Sequence, residues 1–376
     1  MEPIPIVLAG FGKWARTRTV IPFIDNNPGI MKVVAVTALK HGIDEFAKSV
    51  KPEFESRGLD LPEFLENAEQ AFQTVGSAQP IWAVIINTPN KYHYRQAKAA
   101  LENGAHVYVE RPIVTHNDDL TELIGIAEER GRKFFTGVQR RLEDSYGYLY
   151  HAVKNNHDFN ELASIRCYLS AGMRLQGWRS IRDLAGGGII LDSGYHLLDA
   201  VVWIANASGI DFSGTMSGSV HCHNEKVVLT ATKTPTVETT AIGHVRLPRN
   251  VLLSFNFTYC APKGSIFERV ELGDIDGGRI ILNREQSVRS DVPATVTHQR
   301  PDGSFAKATT SLGKTVKIEK IRLSGSSRNT APLSRFINRV ASEGDKEIVC
   351  DVCDARSSVS TWHFVRELYT LAHQKI

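Results

Sequence analysis

The first 138 residues alternate short apolar runs with longer segments of helical periodicity. The apolar runs occupy Ile4–Ala9, 32–36, 81–86, His106–Val109 and 133–138. Short, uninterrupted apolar runs are typical of parallel strands that helices cover on both faces. We therefore predict that residues 1–138 form an α/β domain with a doubly wound parallel sheet.

Beyond this domain the pattern of hydrophobic positions changes. Residues 251–259 alternate apolar side chains with Ser254, Asn256 and Thr258. This period of two is typical of an antiparallel sheet that packs one face on a core. We predict a second α/β domain over 139–376, with an open, mainly antiparallel sheet.

Several further elements follow from periodicity and from helix breakers. The polar segment 284–315 predicts an irregular, mobile excursion. Pro52 and Pro62 are expected to interrupt a mostly helical region between residues 43 and 65. Other predicted elements are helices at 94–103, 145–155, 333–341 and 355–373, a strand at 163–169, strands over 213–320, and a hairpin turn at 276–278.

A glycine pattern follows the first apolar run directly. Gly10 and Gly12 begin a G-x-G-x-x-A motif that continues through Lys13 and Trp14 to Ala15. Glycines at a strand-to-helix junction permit a tight turn and a close approach of a pyrophosphate, which the free N–H groups of the next helix can bind. We predict that all five residues contact a dinucleotide.

The end of the second apolar run bears on which dinucleotide binds. An acidic residue usually holds the ribose 2′-hydroxyl of NAD at this point. Here Thr37 is followed by Lys40 and His41, and the first acidic residue is Asp44. Thr37 and Lys40 therefore favour the 2′-phosphate of NADP over NAD, although Lys40 as a solvated surface lysine remains an equal alternative.

The most distinctive stretch spans residues 186–199. Three glycines starting at Gly186 free the backbone for positive φ angles and for close approach of a ligand. Asp192, His196 and Asp199 then fall at i, i+4 and i+7, on one helix face. A carboxylate beside an imidazole can orient it and raise its pKa for proton transfer. The alternative is that Asp192 stabilises the helix dipole while His196 is solvated.

Composition excludes some classes of function. The 376 residues are 42% hydrophobic and 23% charged, and the net charge of +3 is spread without a basic stripe for nucleic acid or membrane. No apolar run reaches the ~20 residues of a membrane span, and the first residues do not resemble a secretory signal.

Cysteine usage favours a reducing, cytoplasmic location. The five cysteines are few, odd in number and scattered. The Cys350–Cys353 pair and the His221-Cys222-His223 cluster could conceivably hold zinc, but a single C-x-x-C is a weak signal. We predict ordinary thiols and no metal.

Taken together, these motifs resemble the glucose–fructose oxidoreductase/inositol dehydrogenase (Gfo/Idh/MocA) family. Besides the glycine turn, the resemblance rests on Thr88-Pro89-Asn90 with His93, on Glu110-Arg111-Pro112, and on the G-G-G-x-x-x-D-x-G-x-H-x-x-D pattern from Gly186. It implies a Rossmann domain followed by an α/β domain that forms homodimers or homotetramers. It also implies hydride transfer between NADP or NAD and the hydroxyl carbon of a sugar, cyclitol or similar polyol.

The resemblance also implies roles for individual residues. Asp192 and His196 would be the catalytic pair at the substrate hydroxyl. Glu110 and Pro112 would shape the nicotinamide side of the cleft. The residues expected along the cofactor are Thr88, Pro89, Asn90 and His93. Independently of the resemblance, we expect Arg140, Trp178 and Tyr195 at the substrate, although such aromatic residues more often belong to a core.

One departure from the family affects the chemistry. Arg111 stands where the family usually has the lysine that relays the substrate proton. Arginine does not act as a base at accessible pH, but it can hold substrate oxygens or stabilise an alkoxide. We therefore assign proton transfer to His196, backed by Asp192. The alternatives are a redox-inactive, nucleotide-binding regulatory protein and a relative with non-redox or transient redox chemistry.

Overall fold

The computed structural model divides the chain into two compact units. The first unit combines Met1–Gln139 with Ser327–Val359, and the second combines Arg140–Ser326 with Ser360–Ile376. No helix in the described part of the chain is both long and apolar enough to cross a membrane. The described residues are 2–38, 43–79, 81–115, 120–155, 158–172, 175–224, 235–287, 294–309, 315–317, 321–323, 329–342 and 351–373.

The first unit contains the predicted doubly wound sheet. Its strands are β1 (Ile4–Ala9), β2 (Met31–Thr37), β3 (Glu63–Leu65), β4 (Ala83–Ile86), β5 (His106–Val109) and β6 (Phe134–Thr136). The helices between them are α1 (Lys13–Thr17), α2 (Val20–Asn26), α3 (Ile43–Glu55), α4 (Ala68–Ala78), α5 (His93–Glu102) and α6 (Leu120–Glu129).

The order of these strands determines where a ligand can bind. The described strands pair in parallel in the order β3-β2-β1-β4-β5-β6. The chain moves outward from β1 to β3 and then crosses to β4 on the other side of β1. Such a switch point leaves a crevice at the carboxyl ends of the two central strands, where open α/β sheets bind ligands.

The second unit contains a mainly antiparallel sheet, as predicted. Its described strands pair in the order β16-β13-β12-β11-β7-β10-β9-β8, in which only β7 and β10 run parallel, and β14 pairs with β15 separately. Its elements up to β16 are α7 (Asp144–Asn155), β7 (Leu162–Ala171), α8 (Arg182–Ala185), α9 (Ser193–Ala207), β8 (Ser217–His223), β9 (Thr240–Arg246), β10 (Leu252–Thr258), β11 (Ser265–Asp274), β12 (Arg279–Ser287), β13 (Ala294–Gln299), β14 (Lys307–Thr309), β15 (Thr315–Lys317) and β16 (Ile321–Leu323).

The alternation seen in the sequence matches the two faces of this sheet. Along β10, Leu253, Phe255 and Phe257 are buried, whereas Leu252 is 50% exposed and Ser254 is half-buried. One face therefore lies on the core of the unit and the other is open, as predicted.

Two predictions gave too much weight to residues that usually interrupt structure. The segment 284–315, expected to be irregular, contributes to β12, β13, β14 and β15. Its polar His298 is buried in β13 because its ring bonds the Tyr148 hydroxyl at 2.7 Å and the Asp158 carbonyl at 3.0 Å. Pro52 lies inside α3, in its last turn; it lacks the N–H that would bond the carbonyl of Lys48, yet the helix continues to Glu55.

The chain returns to the first unit after β16, which differs from the predicted division at residues 138 and 139. Helix α10 (Ala331–Ala341) buries an apolar stripe that includes Phe336. The Phe336 ring lies 5.9 Å from Tyr108 of β5 and 5.8 Å from Phe135 of β6. The Thr136 N–H then donates to the Cys353 carbonyl at 2.9 Å. This segment covers apolar side chains of the sheet, and α11 (Val359–Leu371) follows it.

Candidate functional site

The glycine turn lies at the switch point of the first sheet. Gly10 has a φ of +81°, and its N–H donates to the Thr37 carbonyl at 3.1 Å. On the other side, the Asn87 N–H donates to the Ala9 carbonyl at 2.8 Å. A Cβ on Gly10 would lie 3.0 Å from the Asn87 carbonyl oxygen and from Thr88 Cγ2. Backbone conformation and space therefore both require glycine here.

The same turn is open beside Gly12. A Cβ on Gly12 would meet no heavy atom within 4 Å. Gly12 caps α1, whose first turn has no acidic side chain, and the first N–H groups of a helix have no partner within it. Lys13 and Trp14 are exposed here, whereas Ala15 is buried against the unit. This combination suits an anionic pyrophosphate, so the predicted residues fit a dinucleotide.

The turn after β4 adds Asn87, which the sequence analysis did not single out. In the described part of the chain, neither Asn87 Oδ1 nor Nδ2 has a hydrogen-bond partner, although both atoms are buried. The Thr88 hydroxyl, in contrast, donates to Gln96 Oε1 at 2.7 Å. Asn87 is therefore the polar group available to a ligand, whereas Thr88 shapes the turn. The signal was present in the sequence, because Asn87 is the first polar residue after a buried central strand.

His93 joins two turns instead of presenting a free ring. Its Nδ1 lies 2.7 Å from the Pro112 carbonyl oxygen, and its Nε2 lies 2.9 Å from that of Thr88. The ring is fully buried, and this burial lowers its pKa. Both ring nitrogens are thus engaged by backbone carbonyls, and the position of His93 along the cofactor stays a prediction. Pro89 and the buried Asn90 lie in the same turn.

Glu110 follows β5 and connects several parts of the first unit. Its Oε1 accepts from the Trp14 indole at 3.3 Å and from the Tyr108 hydroxyl at 3.4 Å. A Cβ on Gly137 would lie only 2.7 Å from Glu110 Oε2. Burial raises the pKa of Glu110, while the positive charge of Arg111 opposes that rise. Arg111 is half-buried, and the bond between it and Pro112 is cis.

The preference between NADP and NAD stays a prediction. Thr37 ends β2 and is buried, and its carbonyl holds the glycine turn. Lys40, which carried the argument for a 2′-phosphate, lies outside the described residues.

In the second unit, Asp192 occupies the residue before α9. It accepts hydrogen bonds from Arg179 and, at 2.6 Å, from the Tyr259 hydroxyl. Tyr259 also lies 3.2 Å from the Ser193 hydroxyl. Burial and the Asp192 charge raise the pKa of Tyr259, and the same carboxylate raises the pKa of Arg179. His196 lies one turn further along α9 and is half-buried.

Arg179 and Tyr259 were not found by sequence reasoning. Arg179 lies in the 3-10 turn Gly177–Ser180, and Tyr259 directly follows β10. Neither spacing predicts that the two side chains meet at Asp192. Trp178, which was predicted to contact substrate, is half-buried and precedes Arg179. Tyr195 is only 2% exposed, which fits the alternative that it belongs to the core.

The three glycines before α9 pack against protein. Only Gly186 has a positive φ. A Cβ on Gly187 would lie 2.2 Å from the Tyr369 hydroxyl, and one on Gly188 would lie 1.9 Å from the Glu238 carbonyl oxygen. The Gly188 N–H donates to the buried Glu238 carboxylate at 2.7 Å, which also accepts from Tyr369. The expected close approach of a ligand is therefore corrected to close packing of the chain on itself.

Asp199 shares the helix with Asp192 but has a structural role. Arg141 donates two hydrogen bonds to the Asp199 carboxylate, one of them from Nε at 2.9 Å. The Thr361 hydroxyl donates to the same carboxylate at 3.0 Å. All three side chains are buried. Asp192, His196 and Asp199 were predicted to share one helix face. Asp199 instead points into the core, whereas Asp192 and His196 are half-buried.

Arg140 belongs to a closed ring of buried charges. It donates to Glu143 at 2.6 Å and to Glu268, and Arg284 donates to the same two carboxylates. The Tyr146 hydroxyl donates to Glu268 as well. Both terminal nitrogens of Arg140 are bonded within this ring, and its contact with substrate stays a prediction.

Among the described residues there is no group of three potential ligands that could hold a metal ion. The four described cysteines, Cys167, Cys222, Cys260 and Cys353, are free thiols. Cys350, the other half of the C-x-x-C pair, lies outside the described residues.

A parallel sheet with a glycine turn at its switch point defines a dinucleotide-binding protein, and comparison with known families agrees. A model described as an oxidoreductase family with an NAD-binding Rossmann fold matches residues 4–138. A model of the GFO/IDH/MocA C-terminal domain matches residues 152–277. The chain belongs to the GFO/IDH/MocA oxidoreductase family, and its cofactor is NADP or NAD.

Individual relatives are more distant. A 1,5-anhydro-D-fructose reductase of Ensifer adhaerens is 31% identical over 126 residues, which are 33% of this chain and 38% of that protein. The chain thus matches well under half the length of such curated relatives. Among solved structures, aldose-aldose oxidoreductase of Caulobacter crescentus has a TM-score of 0.73 at 15% identity, covering 99% of this chain and 98% of that one. A 3-ketoreductase of Actinomadura kijaniata, solved with NADP and TDP-benzene, has a TM-score of 0.72 at 18% identity, covering 98% of both chains. These two show the fold.

Proposed function

We propose that the protein is an NAD(P)-dependent oxidoreductase that acts on a hydroxyl or keto carbon of a sugar, cyclitol or related polyol. The observation that carries the proposal is the open space beside Gly12, at the switch point of the parallel sheet in a chain of this oxidoreductase family. The 1,5-anhydro-D-fructose reductase named above is named for a sugar derivative, which supports the substrate class.

The first unit supplies the residues that would hold the cofactor. When bound, the nicotinamide supplies or accepts a hydride. Gly12 and the first N–H groups of α1 bind the pyrophosphate, and the unpaired amide of Asn87 offers both a donor and an acceptor. Thr37 and Lys40 favour NADP, because no carboxylate there would repel a 2′-phosphate.

Arg111 takes the position of the usual relay lysine with a different chemical role. A guanidinium stays protonated at any pH at which the protein is folded, so it does not exchange the substrate proton. It binds a substrate oxygen and stabilises negative charge on that oxygen as the carbon is oxidised.

Proton transfer is assigned to His196. Oxidation of an alcohol removes a hydride from carbon and a proton from the hydroxyl, and an imidazole accepts such a proton near neutral pH. Asp192 is held by Arg179 and Tyr259, which fixes its carboxylate at the start of α9. We assign Arg179 and Tyr259 as positioning residues for Asp192.

The test is a screen of sugars and cyclitols with NADP and NAD, followed by the absorbance of the reduced nicotinamide. His196→Asn is expected to lower kcat at least about a hundredfold, the usual contribution of a general acid or base. The control His363→Asn changes an exposed histidine of α11 and should keep full activity. Full turnover by His196→Asn would remove that residue from the mechanism.

A second candidate function is a redox-inactive, nucleotide-binding regulator, which Arg111 in place of lysine favours. In that case the wild-type protein binds the dinucleotide and no polyol changes its absorbance. Arg111→Lys separates the candidates, since a lysine that restores turnover would identify arginine as the cause of lost chemistry. Retained or reduced turnover in that variant would support the enzyme.

We also propose a homodimer or homotetramer in the cytoplasm. The open face of the second sheet carries exposed apolar side chains, among them Tyr168, Ile242 and Leu252, which self-association would cover. Light scattering during gel filtration measures the assembly, and a monomer would contradict the proposal.

A further inference from the structure

A second cavity lies in the first unit, at the end of β6 opposite the nucleotide turn. It has a volume of about 410 Å³ and is lined by residues of α6, the start of β6, α10 and the segment around Ala355. Phe134 and Phe135 contribute apolar surface to it. Lys133, which precedes β6, lines the cavity. Gly137, which lies beside Glu110, follows the opposite end of the same strand. This volume falls within the range of small-molecule sites.

The cavity wall carries an excess of positive charge. Its ionised side chains are four cations, Arg132, Lys133, Arg339 and Arg356, and two anions, Glu128 and Asp354. Arg356 binds Asp354 through Nε at 2.9 Å and Nη2 at 2.8 Å, and it reaches Glu128 at 3.4 Å. One guanidinium therefore engages both carboxylates.

The other three cations have no such partners among the described residues. Within the described part of the chain, the side chains of Arg132, Lys133 and Arg339 form no ion pair or hydrogen bond, and Arg132 Nε is buried. Cations just after the carboxyl end of α6 stabilise that helix, which accounts for Arg132 and Lys133. Arg339 lies in the last turn of α10 and stabilises that helix in the same way, but this effect does not explain why all three cations line one cavity. Like charges gathered on one wall repel one another unless an anion lies between them.

We propose that this cavity binds an organic phosphate, that is, a dianionic phosphate attached to an aromatic or apolar body. The two surplus positive charges match a phosphate dianion, and unpaired guanidinium and ammonium groups are the side chains that bind phosphate best. The two phenylalanines match the apolar body. The site is separate from the nucleotide turn and does not rest on the oxidoreductase proposal.

The test uses phenyl phosphate, titrated calorimetrically into the full-length protein with and without excess NADP. We expect binding that NADP does not displace, with inorganic phosphate and phenol each binding at least about tenfold more weakly because each lacks one half of the ligand. The double variant Lys133→Gln, Arg339→Gln should weaken phenyl phosphate at least about tenfold. Arg130→Gln, which removes an exposed cation of the neighbouring loop, is the matched control and should leave it unchanged.

Three outcomes would overturn the proposal. Competition between NADP and phenyl phosphate would place the ligand at the nucleotide turn. Unchanged affinity in the double variant would exclude the cavity, and an equal loss in Arg130→Gln would show a general effect of surface charge. Thermal unfolding of each variant shows whether it is folded, and a double variant that fails to fold is replaced by Arg339→Gln alone, which must still weaken binding.

Discussion

The two glycine turns of this protein look alike in sequence and differ in what they face. Each precedes a helix and each lies beside buried strands. A Cβ on Gly12 in the first unit would meet nothing within 4 Å, whereas a Cβ on Gly188 in the second would lie 1.9 Å from a backbone oxygen. The first turn leaves space for a ligand, and the second is filled by the Glu238 segment and Tyr369.

The difference shows what a glycine motif does and does not indicate. A missing side chain indicates that something comes close to the backbone. Whether that neighbour is a ligand or the chain itself depends on contacts that are remote in sequence, as Gly188 and Glu238 are. Substitutions at the two turns should therefore affect different properties of the protein.

The largest effect is expected for Gly188→Ala. The added methyl collides with backbone atoms of Glu238, which cannot rotate away, so we expect a loss of at least about 3 kcal/mol in the free energy of unfolding. Urea denaturation measures it. Gly147→Ala, on α7 of the same unit with nothing within 4 Å, is the control and should not destabilise. Equal stability of the two variants would remove the contrast between the turns.

Gly12→Ala should do the opposite. Because the site is open and the φ of −75° suits alanine, the free energy of unfolding should stay within about 0.5 kcal/mol of wild type. The methyl occupies the space proposed for the pyrophosphate, so NADP and NAD should bind about tenfold more weakly in a calorimetric titration. Gly125→Ala, an open position on α6, controls for alanine in this unit. Undiminished nucleotide affinity would mean that the ligand binds elsewhere.

A double-mutant cycle can separate the atoms that fill the second turn. The Tyr369 hydroxyl is the atom nearest to a Cβ on Gly187, at 2.2 Å. Gly187→Ala should therefore destabilise less in a Tyr369→Phe background, with a coupling free energy of about 1 kcal/mol. If the two substitutions lower the free energy of unfolding additively in urea denaturation, the Tyr369 hydroxyl is not the group that excludes a side chain at Gly187.

The smallest effect concerns the carboxyl group beside the open turn. Burial raises the pKa of Glu110 above its ordinary value of 4.5. The protonated form is thus favoured by folding, so its stabilising contribution is complete below pH 4.5 and is lost as the pH rises through the raised pKa. Glu110→Gln should gain stability relative to wild type over that window, measured by urea denaturation from pH 4.5 to neutral. Exposed Glu129→Gln, the control, should follow wild type.

The parallel sheet and the position of the nucleotide turn could be predicted because their signals are local. Uninterrupted apolar runs and a glycine pattern directly after β1 need no information from elsewhere in the chain. The helix that contains His196 was predictable for the same reason.

Buried polar partners could not be predicted, because they come from distant segments. Arg140 and Glu268 are 128 residues apart, and Asp192 and Tyr259 are 67 apart. A charged residue in the sequence resembles a surface or ligand contact until its partner is known, as the bond between Arg140 and Glu268 illustrates. Periodicity alone likewise cannot show that His298 is buried, since its partners Tyr148 and Asp158 lie far upstream.

The return of α10 to the first sheet has a consequence for synthesis of the chain. During translation, Tyr108 of β5 and Phe135 of β6 emerge more than two hundred residues before Phe336, which covers both rings. Until then the nascent first unit exposes apolar side chains that invite aggregation. Its folding on the ribosome therefore cannot finish before the second unit has emerged, and a fragment ending near residue 139 would lack the cover for these rings.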